Sequence, residues 1–129
     1  MNEQPTILLV DDDEDFLLQQ KVYLTNAGYH VITADGRKEA QNVATENKID
    51  CAVIDLMMEE ADAGFILAHQ LKQKYPEMPV IMVTAVTSET GLSFDSIATG
   101  EKKWIKADVV LAKPIRFEQL DGEIKRLLA

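Results

Sequence analysis

Five short apolar runs recur along the chain, each followed by a polar or acidic residue and, in all but the fourth, by a longer stretch with helical spacing. The first, Thr6-Ile7-Leu8-Leu9-Val10, is continuous and not alternating, which predicts a strand buried on both faces. Tyr29 to Ala34 is a second strand, more polar and therefore nearer a sheet edge. Cys51 to Asp55, Val80 to Thr84 and Val109 to Ala112 complete the set, with the Cys51 run reading as central. Three helices lie between these runs and a fourth follows the last. One carries Phe16, Leu17, Tyr23, Leu24 and Ala27 on its inner side and stops at Gly28. A second runs from about Arg37 to Asn47. A third runs from Gly64 to Tyr75, with Ile66, Leu67, Ala68 and Leu71 inward, and is closed by Pro76 and Pro79. In the last, Phe117, Leu120, Ile124 and Leu127 repeat at three, four and three. Residues from Ala85 to Lys106 are irregular, with only a weak helical signal around Phe94 to Ala98. Strands alternating with helices predict βαβ units, right-handed crossovers and a parallel sheet covered on both faces.

Such a sheet places all its strand ends on one rim, and the side chains found there carry chemistry. The first strand runs into Asp11-Asp12, the third ends in Asp55, the fourth in Thr84, and the fifth leads into Lys113. Ligands of open α/β sheets bind outside the carboxyl ends of the strands. Adjacent carboxylates repel and call for a cation, whereas Asp13 to Asp15 are explained by capping the following helix. Three acids, a hydroxyl and an amine on one rim point to phosphoryl chemistry on Asp55, with a divalent cation held by the acids and with Thr84 and Lys113 binding phosphate oxygens.

Composition narrows the alternatives. With 22 acidic against 13 basic residues the net charge is −9, which argues against nucleic-acid binding and predicts cationic or metal-borne ligands. The length fits one domain spanning residues 1–129, with no output domain. The single cysteine, Cys51, lies inside an apolar run and reads as a buried hydrophobe. His30 and His69 have no ligand-spaced partners, so zinc is not indicated. No run approaches the ~18–20 apolar residues of a membrane span, and a cytoplasmic location is expected.

The motifs Ile7-Leu8-Leu9-Val10-Asp11-Asp12-Asp13, Val53-Ile54-Asp55-Leu56-Met57-Met58, Val83-Thr84-Ala85 and Leu111-Ala112-Lys113-Pro114-Ile115 together resemble the receiver domain of two-component response regulators. The resemblance covers essentially the whole chain, in the manner of single-domain chemotaxis-type regulators. It implies a flavodoxin-like doubly wound five-stranded parallel sheet in the order 2-1-3-4-5, helices on both faces and a cis Lys113-Pro114 peptide. That strand order belongs to the fold as it is generally known; the spacing of the apolar runs does not by itself dictate it. The resemblance also implies that Asp55 accepts a phosphoryl group from a sensor histidine kinase or a histidine phosphotransfer protein. Mg²⁺ (or Mn²⁺) is then held by Asp11, Asp12, Asp55 and the backbone carbonyl of Met57, while Thr84 and Lys113 engage the phosphate. Such a domain catalyses its own phosphotransfer and autodephosphorylation without being a conventional enzyme, and it signals through a downstream protein.

The chain departs from the family pattern in four places. Glu59 stands where a proline is usual, Gly64 arrives one residue late, Val110 replaces a common aromatic switch, and the stretch from Thr84 to Lys113 is long, which leaves the dimer face open. Apolar Met57 and Val86, two residues past Asp55 and Thr84, predict slow hydrolysis of the acyl phosphate. Three other readings compete. A haloacid dehalogenase-type phosphohydrolase would use Asp11 as nucleophile within its Asp-x-Asp, but it needs a further acidic pair at a strand end, and Asp121 and Glu123 fall on the last helix. A flavodoxin-like module would set five consecutive acids against a flavin phosphate. An unphosphorylated pseudo-receiver is expected to lack an acid or the lysine, and here all are present.

Overall fold

In the computed structural model, the described residues are 4–55, 63–84, 108–112 and 116–128. They form strands β1 (Thr6–Val10), β2 (His30–Ala34), β3 (Cys51–Asp55), β4 (Val80–Thr84) and β5 (Val109–Ala112), and helices α1 (Glu14–Asn26), α2 (Arg37–Glu46), α3 (Ala63–Lys74) and α4 (Phe117–Leu128). The strands make one sheet in the order β2-β1-β3-β4-β5. Every neighbouring pair is parallel.

The continuous apolar runs are explained by burial on both sides. Leu8, Val10, Ala52, Ile54, Val80 and Met82 pack with Ala40 and Ala44 of α2 and with Leu67, Ala68 and Leu71 of α3. The alternate residues Ile7, Leu9, Cys51, Val53, Ile81 and Val83 pack with Leu17 and Leu24 of α1 and with Leu120 and Ile124 of α4. A strand that feeds two cores has no polar face, so period-two alternation is absent.

Element boundaries differ from the sequence reading by a residue at several ends. Tyr29 lies outside β2 because its N–H donates to Leu24 O at 3.1 Å, at the end of α1, instead of joining the ladder. Its hydroxyl donates to Asp121 on α4 at 2.7 Å. Gly28 takes φ +103°, a left-handed conformation that a side chain would strain, and it ends α1 as expected. The inner face of α1 is Leu17, Gln20 and Leu24; Tyr23 is 43% exposed and makes a tilted ring contact with Phe117 of α4, centroids 5.5 Å apart. Leu18 and Val22 are also exposed, so apolar residues surround this helix and its phase was ambiguous. His30 sits exposed on the sheet's edge strand. No helix among the described residues is long and apolar enough to cross a membrane.

The amino end of the sheet is tied by carboxylates standing just before strands. Asp50 accepts from Thr6 N at 2.7 Å, and Asp108 accepts from Val80 N at 2.8 Å. Asp108 also pairs with Lys72 of α3 at 2.9 Å, while the Lys72 ammonium donates to Met78 O. Asp108→Ala leaves the wholly buried Val80 without that acceptor, and a loss of about 1–3 kcal/mol is expected. Urea unfolding checks this through a lower midpoint at unchanged slope.

Cys51 is wholly inaccessible. Burial first, then the nearby Asp108 and Asp50 carboxylates, push its thiol up to about 12 from an ordinary 9.0. Tyr29 is likewise raised, by burial and then by its bond to Asp121. The folded chain therefore keeps protons that the unfolded chain releases, and stability falls as pH climbs above about 9, with no contribution from these groups below it. Thermal melts between about pH 8 and 11 test this. Cys51→Ala, though less stable at neutral pH, should show the shallower alkaline decline; an equal slope would remove the thiol from the account.

Candidate functional site

The register brings the acids to one level. Val10 pairs with Ile54, so Asp11, the next residue, stands beside Asp55 at the carboxyl rim. Asp55 pairs with Val83, so Thr84 ends β4 on the same rim; Thr84 in turn pairs with Ala112, the residue before Lys113. Neighbouring parallel strands ending together set these residues at the position at which such folds bind ligands.

Asp11 is 1% exposed and Asp55 7%, whereas Asp12 is exposed. The backbone N–H of Asp11 donates to Ala34 O at 3.2 Å, anchoring the residue to the end of β2. Its Oδ1 accepts from Asp13 N at 2.9 Å. Asp13 is the N-cap of α1, its Oδ1 accepting from Asp15 N at 3.0 Å and from Phe16 N at 3.2 Å. The acidic run thus divides as expected: Asp13 caps, Glu14 and Asp15 occupy the positive end of the helix, and Asp11 and Asp12 face the rim.

One carboxylate oxygen from each of Asp11, Asp12 and Asp55 lies within 4.8 Å of the others. Oxygens on one octahedral Mg²⁺ stand about 2.9 Å apart when cis and about 4.2 Å when trans, so the three carboxylates would draw together to share a single ion. The donor set is all oxygen and anionic, which suits Mg²⁺ or Mn²⁺ and disfavours softer metals. Two buried ligands and one exposed one also leave a solvent side for the waters that Mg²⁺ retains. Among the described residues this is the one cluster of its kind.

Of the other expected site residues, Met57 and Lys113 lie outside the described residues, as does Val86, and Thr84 is described only as the last residue of β4. Val110 is partly buried against the α2/α3 side of the sheet. The acids that a phosphohydrolase would need at a strand end are elsewhere: Asp121 and Glu123 are on α4, where Asp121 binds Tyr29 and Lys125 and Glu123 binds Arg126. The sequence reading overlooked the buried Gln20. Its spacing of three and four from Leu17 and Leu24 was the available sign.

Comparison with known proteins agrees with this geometry. The family model for the response regulator receiver domain matches residues 7–125. The chain is 33% identical over 122 residues to the alkaline phosphatase synthesis transcriptional regulatory protein PhoP of Bacillus subtilis, covering 95% of this chain and 48% of that protein. It is also 33% identical over 128 residues to the transcriptional regulatory protein RprY of Bacteroides fragilis, covering 99% and 51%. The chain therefore spans about half the length of these relatives. Among solved structures, a CheY-like receiver domain protein from Methanospirillum hungatei superposes with a TM-score of 0.83 at 26% identity, covering 98% of this chain and 94% of that one. The response regulator TrrA of Thermotoga maritima, in complex with Mg²⁺-BeF, gives 0.78 at 25% identity, covering 97% and 100%. A match across nearly the whole chain, on the strand order and rim just described, leaves one conclusion: the chain belongs to the response regulator receiver domain family.

Proposed function

We propose that the protein is the phosphoryl-accepting element of a two-component or phosphorelay system, phosphorylated on Asp55. The observation that carries this reading is the convergence of the Asp11, Asp12 and Asp55 carboxylates within 4.8 Å at the carboxyl rim of a receiver-family chain. Asp55 is the acceptor because it alone of the three ends the central strand, paired with Val83 of β4 and one residue past the Val10–Ile54 pair with β1. A carboxylate oxygen of Asp55 attacks the phosphorus of a phosphohistidine on a sensor kinase or a histidine phosphotransfer protein. The O–P bond forms as the P–N bond breaks, and the imidazole departs with the electron pair. Asp11 and Asp12, with Asp55 and the Met57 carbonyl, would hold Mg²⁺ or Mn²⁺, which when bound neutralises charge on the transferring phosphoryl oxygens. Thr84 donates a hydrogen bond, and Lys113 a charge-assisted one, to the same oxygens. Output then passes through a protein partner that distinguishes the two states of the rim.

The test is chemical. Acetyl phosphate with Mg²⁺ should add one phosphoryl group, labile to hydroxylamine, and peptide mapping should place it on the β3 peptide. No uptake with any small phosphodonor or phosphohistidine partner would overturn the reading.

A further inference from the structure

We propose that Asp13 is a positioning residue for the cation site: by capping α1 it holds its own backbone N–H on the Asp11 carboxylate. This rests on the reading of Asp11, Asp12 and Asp55 as a cation site. Two side-chain-to-backbone bonds of the same i to i+2 kind follow one another here, Asp11 Oδ1 accepting from Asp13 N at 2.9 Å and Asp13 Oδ1 accepting from Asp15 N at 3.0 Å. The second fixes the first. Asp13 is clamped on its side-chain oxygen by the amides of Asp15 and Phe16, and on its carbonyl by Leu17 N at 3.0 Å. With the residue so held at φ −92° and ψ 105°, its amide has one direction, toward Asp11. The Asp11 carboxylate is 1% exposed, so its plane is set by the protein and not by water. Ligand orientation by a neighbouring donor raises metal affinity because the ligand is not reorganised on binding.

This role needs an acceptor oxygen at position 13, not its charge. Asn caps helices as well as Asp does, and Ala does not. The proposal therefore separates from the simpler idea that Asp13 is one more negative charge near the cation.

The experiment is an MgCl₂ titration of the full chain, followed by the backbone amide resonances of the rim, on wild type, Asp13→Asn, Asp13→Ala and Asp108→Ala. Outer-shell changes commonly cost about 10–100-fold in metal affinity; here the amide donor survives and only its clamp is lost, so Asp13→Ala should weaken Mg²⁺ about fivefold. Its amide proton at position 13 should also move upfield as the bond to Asp11 loosens. Asp13→Asn should stay within about twofold of wild type in 0.15 M salt, because an exposed charge is screened. Asp108→Ala, destabilised at the opposite end of the sheet, should bind as wild type does, which removes stability as the cause. Equal weakening by Asp13→Asn and Asp13→Ala would replace positioning by charge, and unchanged binding by Asp13→Ala would remove the role. If wild type itself shows no Mg²⁺-dependent shift, the cation site falls and the proposal falls with it.

Discussion

Asp55→Asn is expected to abolish phosphoryl uptake, lowering the rate from acetyl phosphate a thousandfold or more, about 4 kcal/mol in the barrier. The amide keeps the shape of the carboxylate, and its strand neighbours Ile54 and Val83 are undisturbed, so the fold should persist. It lacks the anionic oxygen that forms the O–P bond. It also takes one charge from a cluster whose members lie within 4.8 Å of one another, so Mg²⁺ should bind less tightly. Intact mass after treatment with acetyl phosphate and Mg²⁺ checks the expectation. If Asp55→Asn still gained a hydroxylamine-labile phosphoryl group at Asp11, the nucleophile would be Asp11 and the chemistry that of a phosphohydrolase.

Asp12→Asn should likewise abolish metal-dependent phosphorylation, yet leave the metal-free protein as stable as wild type or more so. Two unit charges 4.8 Å apart repel by about 1 kcal/mol in water and about 3.5 kcal/mol at an effective dielectric of 20. Exposure of Asp12 places its share toward the lower figure. Removing one charge relieves part of that repulsion, while the cation loses a ligand. For wild type, Mg²⁺ at ten times its dissociation constant should add about 1.4 kcal/mol, a rise of several degrees in melting temperature. Melts with and without MgCl₂ decide the matter: a wild type insensitive to millimolar Mg²⁺, or an Asp12→Asn protein that still responds to it, contradicts this account.

The strands were legible because burial on both faces leaves a continuous apolar run, and β1, β3 and β4 have no solvent side. The last helix was legible for the opposite reason: Leu120 and Ile124 face the sheet while Glu118, Gln119, Lys125 and Arg126 face water. Helix α1 was placed correctly but misread in phase. Its apolar residues Phe16, Leu18, Val22 and Tyr23 exceed what one face can bury, and a glutamine takes an inner position. Tyr29 was assigned to β2 on composition, and only its bonds to Leu24 O and Asp121, one to the neighbouring helix end and one 92 residues away, show why it leaves the ladder. Within the site, residue types at strand ends sufficed to nominate Asp11, Asp12 and Asp55. Their closeness depends on the register of β1 against β3, which no local pattern encodes. Met57 and Lys113 lie outside the described residues and Thr84 is fixed only in its strand, so their roles rest on the proposed function.

The strand order has a consequence for biosynthesis. Because β1 lies between β2 and β3, the first 55 residues contain three adjacent strands and every acid of the cation cluster. Strands β4 and β5 are then added along one side only, bringing Thr84 and, with the residue after Ala112, the lysine. At translation speeds of about 5–20 residues per second, Lys113 is made some 3–12 s after Asp55. A nascent chain therefore carries all three clustered carboxylates before Thr84 and Lys113, the residues proposed above to bind phosphate oxygens, have been made.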